Sequence, residues 1–417
     1  MINSTVVLFL LVYLAMALGK LPGFKLDRTG SALVGALGLM VIGDITGQEA
    51  WDAINYKTIA LLFGLMVLSG AFGVSGFYSY ATYKVASLNV SSPLLLAILI
   101  GVSGGLSSLL TNDVVVVAMT PLLISLTMAR NLNPIPFVLG FCFAANTGSA
   151  GTLIGSPQNM IIAQSLDLSF TELLKIAGIP ALLSMVLVWG VTSFIYRGRW
   201  QLSDTKNIDK LSSNKQLRKD NIAINHVELL KATLVAIVVM IAFVWDLWPQ
   251  SLVALAAAGV LLLNKKIASD DVLKEVNYNL LILIASLFVV NKAMAMTGLP
   301  QLFLAELKTW GLDLNDPLSL LFTGAILSNS VGNNPAVMLL TPYLHSGSNA
   351  ASLGAALTLG TGFASNLMIF GSLAGIIAVE ESKKHGVIIT FGEFLKSGFL
   401  VAGSCLAMAA GWIYWFY

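Results

Sequence analysis

Two short polar runs stand inside apolar sequence about half a chain apart, and their residue types could hold an ion. Thr111-Asn112-Asp113 precedes Val-Val-Val-Val-Ala-Met and Thr120-Pro121; Gly332-Asn333-Asn334-Pro335 precedes Ala-Val-Met-Leu-Leu and Thr341-Pro342. Asn and Asp are favoured helix N-caps and Pro a favoured first-turn residue, so each run reads as a capped helix start at lipid depth. Such interrupted backbone is tolerated in a bilayer only when it is buried in protein or lines a watery cavity. A second pair of interruptions complements them. Asn146-Thr147-Gly148-Ser149-Ala150-Gly151-Thr152 leads to Gly155-Ser156-Pro157-Gln158-Asn159, and Gly360-Thr361-Gly362-Phe363-Ala364-Ser365-Asn366 leads to Gly371-Ser372.

Four helix N-termini would then converge near Asp113, Ser156, Asn334 and Ser372. Each offers unpaired N–H groups and about half a positive charge, a ready anion site. Unwound carbonyls and side-chain oxygens beside them suit a small hard cation such as Na⁺. On this reading the substrate-binding residues are Asn112, Asn146, Thr147, Ser149, Ser156, Asn159, Asn333, Asn334, Ser365, Asn366 and Ser372. The coupling-ion residues are Thr111, Asn112, Asp113, Gly151, Ser328, Asn329 and Asn333. Asp113 is the sharpest of these, because a carboxylate at membrane depth is costly unless paired, hydrated or protonated. It stands where the second run has neutral Asn334. It either binds the coupling cation or carries a proton, with a plain N-cap as the competing reading.

These runs need elements that cross a membrane. The 417 residues are 57% hydrophobic and 11% charged, with a mean hydropathy of +0.84, which excludes a soluble globular class. The expectation is an all-α polytopic membrane protein. Its expected spans are 4–18, 31–43, 58–75, a hairpin over 93–128, 136–164, 176–196, 228–247, 251–263, 280–296, a hairpin over 318–344, 351–379 and 398–417. The first lacks a basic n-region and is followed by Lys20, Lys25 and Arg28, as an anchor with its N-terminus outside would be. With the hairpins re-entrant, Lys20, Lys25, Arg28, Lys84, Arg130, Arg197, Arg199, the cations of 206–219, Lys265, Lys266, Lys274, Lys383 and Lys384 fall on one face. Only Lys57, Lys175 and Lys308 fall on the other. The positive-inside rule makes the first face cytoplasmic and both termini external. The net charge of +2 is spent on topology and calls for no nucleic-acid partner. Cys142 and Cys405 both lie in apolar spans and read as packing residues.

The chain also repeats itself. Asn55-Tyr56 and Gly76 match Asn277-Tyr278 and Gly298 at one offset; Phe170, Glu172 and Leu174-Lys175 match Phe391, Glu393 and Leu395-Lys396 at an offset one residue shorter, which also maps Asn112 onto Asn333. Five crossings and one hairpin per half make the repeats inverted, a recurring plan for secondary transporters. The first repeat is 1–199, the polar stretch 200–226 is a cytoplasmic linker, and the second repeat is 227–417. Phe170–Lys175 and Phe391–Lys396 read as short amphipathic segments lying at the interfaces. No hydrolase, phosphate-loop or zinc spacing occurs, so the chain reads as a transporter and not an enzyme, with no cofactor or metal.

At Leu110-Thr111-Asn112-Asp113, Gly155-Ser156-Pro157-Gln158-Asn159, Ser328-Asn329 with Asn333-Asn334-Pro335, and Gly371-Ser372-Leu373-Ala374-Gly375, the chain resembles the ion transporter superfamily. That superfamily includes arsenite permeases of the ArsB type, NhaD-type sodium/proton antiporters, citrate permeases and divalent anion symporters. Thr-Asn-Asp and Asn-Asn-Pro stand where the dicarboxylate symporters carry Ser-Asn-Thr, and Gly-Ser-Leu-Ala looks like the arsenite-permease branch. The resemblance implies an inner-membrane carrier in which a transport domain moves like an elevator against a scaffold, often as a homodimer. It implies Na⁺ or H⁺ as coupling ion and, for an arsenite permease, an ATPase subunit as partner. The expected cargo is a small oxyanion or a weak acid such as arsenite; citrate or dicarboxylate transport and Na⁺/H⁺ antiport are the alternatives.

Overall fold

The computed structural model describes residues 4–21, 23–202, 224–264, 267–344, 347 and 349–416, and among them it has twenty α-helices and no β-strand. The expected linker cations of 206–219, with Lys265 and Lys266, lie outside the described residues. The first ten helices are α1 (Ser4–Leu18), α2 (Arg28–Ile42), α3 (Gly47–Ala53), α4 (Tyr56–Val74), α5 (Phe77–Ala86), α6 (Ser92–Leu109), α7 (Asn112–Ala129), α8 (Pro134–Ser149), α9 (Pro157–Leu166) and α10 (Phe170–Ile195). The second ten are α11 (His226–Val244), α12 (Gln250–Leu262), α13 (Ser269–Leu273), α14 (Tyr278–Met296), α15 (Leu299–Thr309), α16 (Pro317–Val331), α17 (Asn333–Leu340), α18 (Ala350–Ala364), α19 (Leu373–Lys384) and α20 (Phe391–Phe416).

The two series run in the same order, and the same signals start matching helices. The Asn55 side chain accepts from Thr58 N to cap α4, and Asn277 accepts from Leu280 N to cap α14. Gly76 and Gly298, at φ +78° and +73°, turn the chain into α5 and α15, a conformation that glycine adopts without steric cost. Packing between the series is exchanged as well. α4 packs on α12 while α14 packs on α2; α7 packs on α19 while α17 packs on α9. Such reciprocity is what a self-complementary two-fold interface produces.

Among the described residues seven helices, α4, α6, α7, α10, α11, α14 and α20, are long and apolar enough to cross a membrane, and α1, α2, α12, α16 and α18 are shorter apolar helices. The protein is a multi-pass membrane protein. Lipid is as apolar as leucine, so these helices gain little from excluding it and must gain from close contact. Small residues allow that approach. A Cβ on Gly148 of α8 would stand 2.4 Å from Gly104 Cα of α6, and one on Gly360 of α18 would stand 2.4 Å from Leu321 O of α16.

Two expectations need correction here. The segments Phe170–Lys175 and Phe391–Lys396 are not separate interfacial pieces but the first turns of the 26-residue helices α10 and α20. A capping box of Ser169 and Glu172 starts α10 at Phe170, and the helix continues through Pro180 to Ile195. Nor are Asn112 and Asn333 caps. The N-caps are Thr111 and Gly332, neither with a side-chain cap bond, and each Asn is the first helical residue. Cys142 and Cys405 are buried and unpaired with each other.

Candidate functional site

The short connection between α6 and α7 does not reach a surface. Leu110, Thr111 and Asn112 are all buried, and Asn112 N donates to Gly155 O at 3.0 Å, which ties the hairpin tip to the break between α8 and α9. In the other series, Gly332 joins α16 to α17 at φ +94°, beside the break between α18 and α19. Both tips and both breaks open onto one cavity of about 660 Å³, lined among others by Asn112, Asp113, Pro157, Gln158, Gly332, Asn333, Asn334, Gly371 and Ser372. The first turns of α7, α9, α17 and α19 therefore face the same space, as the spacing predicts.

Of the expected site residues, Asn112, Asp113, Asn333, Asn334 and Ser372 line the cavity. Asn146, Thr147, Ser149, Ser156, Asn159, Ser365 and Asn366 are fully buried behind it. Asn146 is the hub of that layer. Its Oδ1 accepts from Asn112 Nδ2 at 3.4 Å, and its Nδ2 donates to Asn366 Oδ1 at 2.9 Å and Ser372 Oγ at 3.1 Å. It thus joins elements of both series. Asn333 Nδ2 donates to Ser365 Oγ at 2.8 Å, and Ser328 Oγ donates to Asn333 Oδ1. Thr147 and Ser149 do not face the cavity; their hydroxyls bond back to Phe143 O and Asn146 O in their own helix, the local bond that competes for Ser and Thr hydroxyls. Gly151 is likewise away from it, 2.7 Å from Ala181 Cβ measured to an added Cβ, and serves close packing on α10.

Several oxygens are left without a donor. Asn159 gives its amide to Ser149 O and Thr152 O at 2.8 and 2.7 Å, and Asn329 gives its amide to Ala325 O and Ala364 O at 3.1 and 2.9 Å. Both Oδ1 atoms remain buried without a partner, as do Asn112 Oδ1, Asn334 Oδ1 and Ser156 Oγ. Buried oxygens that find no protein donor are costly, and oxygen is the ligand type that hard cations take. Asp113 lines the cavity half-buried, and no described side chain forms an ion pair with it.

Helices α4 and α14 hold the two hairpins at different heights. In α4, Ser69 Oγ accepts from Thr111 N at 3.1 Å, at the tip of the first hairpin. In α14, Asn291, at the matching position, donates from Nδ2 to Met338 O at 3.0 Å, well past the second tip, while Tyr13 Oη donates to Asn291 Oδ1 at 2.8 Å. The Met338 carbonyl is free for this because Pro342, four residues on, has no N–H to give. In hairpin numbering the two grips differ by six residues, or about 9 Å at 1.5 Å per residue. Asn291→Ala should orphan that carbonyl and cost about 1–3 kcal/mol. A change in the thermal midpoint below that of a surface substitution would rule the contact out as a stabilising one.

Arg28, Asp27, Thr29, Asn277 and Asn279 also line the cavity, and none of them was among the residues the sequence marked for the site. They sit at the starts of α2 and α14. The available signal was Asp27, whose side chain accepts from Gly30 N and so makes Arg28 the first residue of a helix rather than part of a loop. Lys292 is exposed on α14 and stays outside the cavity.

The comparisons with known proteins agree with this architecture. The family profile described as "Citrate transporter" matches residues 11–362. A 46 kDa membrane protein of Mycobacterium leprae is 28% identical over 92% of this chain and 93% of its own length. A silicon efflux transporter of Oryza sativa subsp. japonica is 24% identical over 88% of this chain and 87% of its own. Among solved structures, Neisseria gonorrhoeae MtrF, described within a class of antimetabolite efflux pumps, aligns with a TM-score of 0.62 at 12% identity, covering 98% of this chain and 93% of MtrF. That last likeness is one of fold.

Proposed function

Since the chain belongs to the citrate transporter family, we propose that it is an ion-coupled secondary active carrier of a small oxyanion or weak acid. The observation that carries this reading is the convergence of four helix starts and Asp113 on one cavity of about 660 Å³, within the size range of small-molecule sites. The helix N-termini hold the cargo anion, and Asp113 with the donor-free Asn oxygens holds the coupling ion, Na⁺ or H⁺. Citrate is the alternative cargo, favoured by the family match over residues 11–362.

Transport is by exchange of two conformations in which the hairpins and broken helices slide as a body along α4 and α14. The unequal grips of Ser69 and Asn291 support this: one hairpin is held at its tip and the other part-way down, the asymmetry expected of a two-fold arrangement caught at one end of its travel. The halves are inverted in the bilayer, the linker 200–226 is cytoplasmic and both termini are external. The chain works in an inner membrane as a homodimer.

Flux into proteoliposomes tests the reading. Saturable uptake of citrate, arsenate or arsenite that follows an imposed Na⁺ or proton gradient is the expected outcome. Unsaturable conductance without exchange would make the protein a channel instead.

A further inference from the structure

Arg28 reaches the cavity from α2, and its bonding accounts for only part of its side chain. Nε donates to Met16 O at 3.0 Å, a carbonyl in the last turn of α1, where a cation belongs. That uses one of five donors. The terminal nitrogens point the other way: Nη1 lies 3.8 Å from where a Cβ on Gly332 would stand, at the foot of α17. A cation set against a helix N-terminus is at the wrong end of the dipole. No described carboxylate is ion-paired with it, and the neighbouring Asp27 side chain accepts from Gly30 N at 2.8 Å as the cap of α2. The ion pairs among the described residues involve Arg199, Lys274, Lys308 and Lys384, and Arg28 is in none.

The matching position in the other series shows what a merely structural residue does there. Gln250 opens α12 as Arg28 opens α2, and it is buried. It accepts from Gln164 Nε2 at 3.1 Å and donates to Leu168 O at 3.4 Å. The neutral residue is spent on the protein, and the charged one is not. The charged residues that line this cavity are Asp27, Arg28 and Asp113, and none is in an ion pair among the described residues; with Asp27 engaged as the cap of α2, Arg28 suits an anion and Asp113 a cation.

We propose that Arg28 anchors the cargo, and that the cargo is therefore an ionised carboxylate or inorganic oxyanion rather than an undissociated acid. The inference rests on the carrier reading above and sharpens it. The guanidinium fork takes two oxygens of the anion, while the first turns of α7, α17 and α19 face the remainder. Both carboxylates and tetrahedral oxyanions meet that description. Arsenous acid, uncharged at neutral pH, does not.

The test uses the full chain, purified and reconstituted, with citrate, arsenate and arsenite as separate probes of binding and uptake at neutral pH. The wild type is expected to bind citrate or arsenate, whichever is the better fit naming the source of the anion, and to prefer it to arsenite. Arg28→Gln should weaken that anion about 10- to 100-fold, the worth of a lost charge-assisted bond, and leave arsenite unchanged. Arg28→Lys, which keeps the charge without the fork, should fall between the two and guards against a Gln variant that does not fold. Anion affinity within twofold of wild type in both variants overturns the anchor. An equal loss for arsenite does so as well, since that is a structural defect. A wild type that carries arsenite alone overturns the anchor and leaves the carrier standing; one that carries none of the three removes both.

Discussion

Asp113→Asn is expected to abolish the dependence of uptake on the driving ion while leaving the protein folded. The residue is second in α7 and faces the cavity, so its carboxylate is favoured by the helix N-terminus by about 0.3–1 kcal/mol. That is too little to justify burying a charge at membrane depth, which costs a few kcal/mol even on insertion scales. On the proposed reading a bound cation or proton supplies the missing stabilisation. Asparagine keeps the shape and an oxygen but gives neither full charge nor a titratable group. Gradient-driven uptake should fall about 10- to 100-fold, on the scale of interactions with a charged group, whereas the thermal midpoint without ligand should stay close to that of the wild type. The converse variant, Asn334→Asp, places a carboxylate in the other half and should alter ion stoichiometry rather than abolish it. A well-folded Asp113→Asn protein with unaltered gradient dependence would refute the coupling role.

Gly155→Val should destroy the site through the backbone. A Cβ there would lie 2.4 Å from Ser149 O, 2.6 Å from Ser149 Cα and 2.7 Å from Ser107 O. None of these is the end of a flexible side chain, so the break between α8 and α9 must open to admit it. The same residue's carbonyl receives Asn112 N, and moving it detaches the first hairpin tip. Overpacking of this kind costs about 1–3 kcal/mol and occasionally more. Binding should be lost even in protein that still folds. Gly105→Ala is the control, because nothing lies within 4 Å of its Cβ position. If both variants bind and melt like the wild type, the tight seam is not what holds the tip.

Much of this arrangement is legible in the residues because helix starts leave local marks. Asn55 and Asn277 cap matching helices, and Ser156-Pro157 and Ser372 open α9 and α19 at the expected places. The break residues also show in sequence, since Gly and Ser runs inside apolar spans have few other uses. Which polar side chains face the cavity is a different matter. Thr147 and Asn146 are adjacent in one helix, yet one bonds back to its own carbonyls and the other bridges to Asn366. Facing is set by how α8 is rotated against α6 and α18, and that depends on close packing at Gly148, Gly104 and Gly362. Arg28 was hidden for another reason. A lone cation just after an apolar span is usually a topology signal, and only its position beside the second hairpin tip separates it from Lys20 and Lys25.

The grips on the hairpins fall mostly on main-chain atoms, the exception being Thr111 Oγ1, which donates to Ser69 Oγ at 3.1 Å. Ser69 meets Thr111 N, Asn291 meets Met338 O, and Tyr13 approaches Pro335 O at 3.5 Å. The information for that interface is therefore stored unevenly. On the hairpin side almost any side chain presents the same main-chain atoms, so those positions other than Thr111 are free to drift in sequence as long as Pro342 keeps the Met338 carbonyl open. On the other side the bonds are made by the side chains of Ser69, Asn291 and Tyr13 themselves. Across relatives, variation at this contact should gather on the hairpins, and the positions of Ser69, Asn291 and Tyr13 should change slowly.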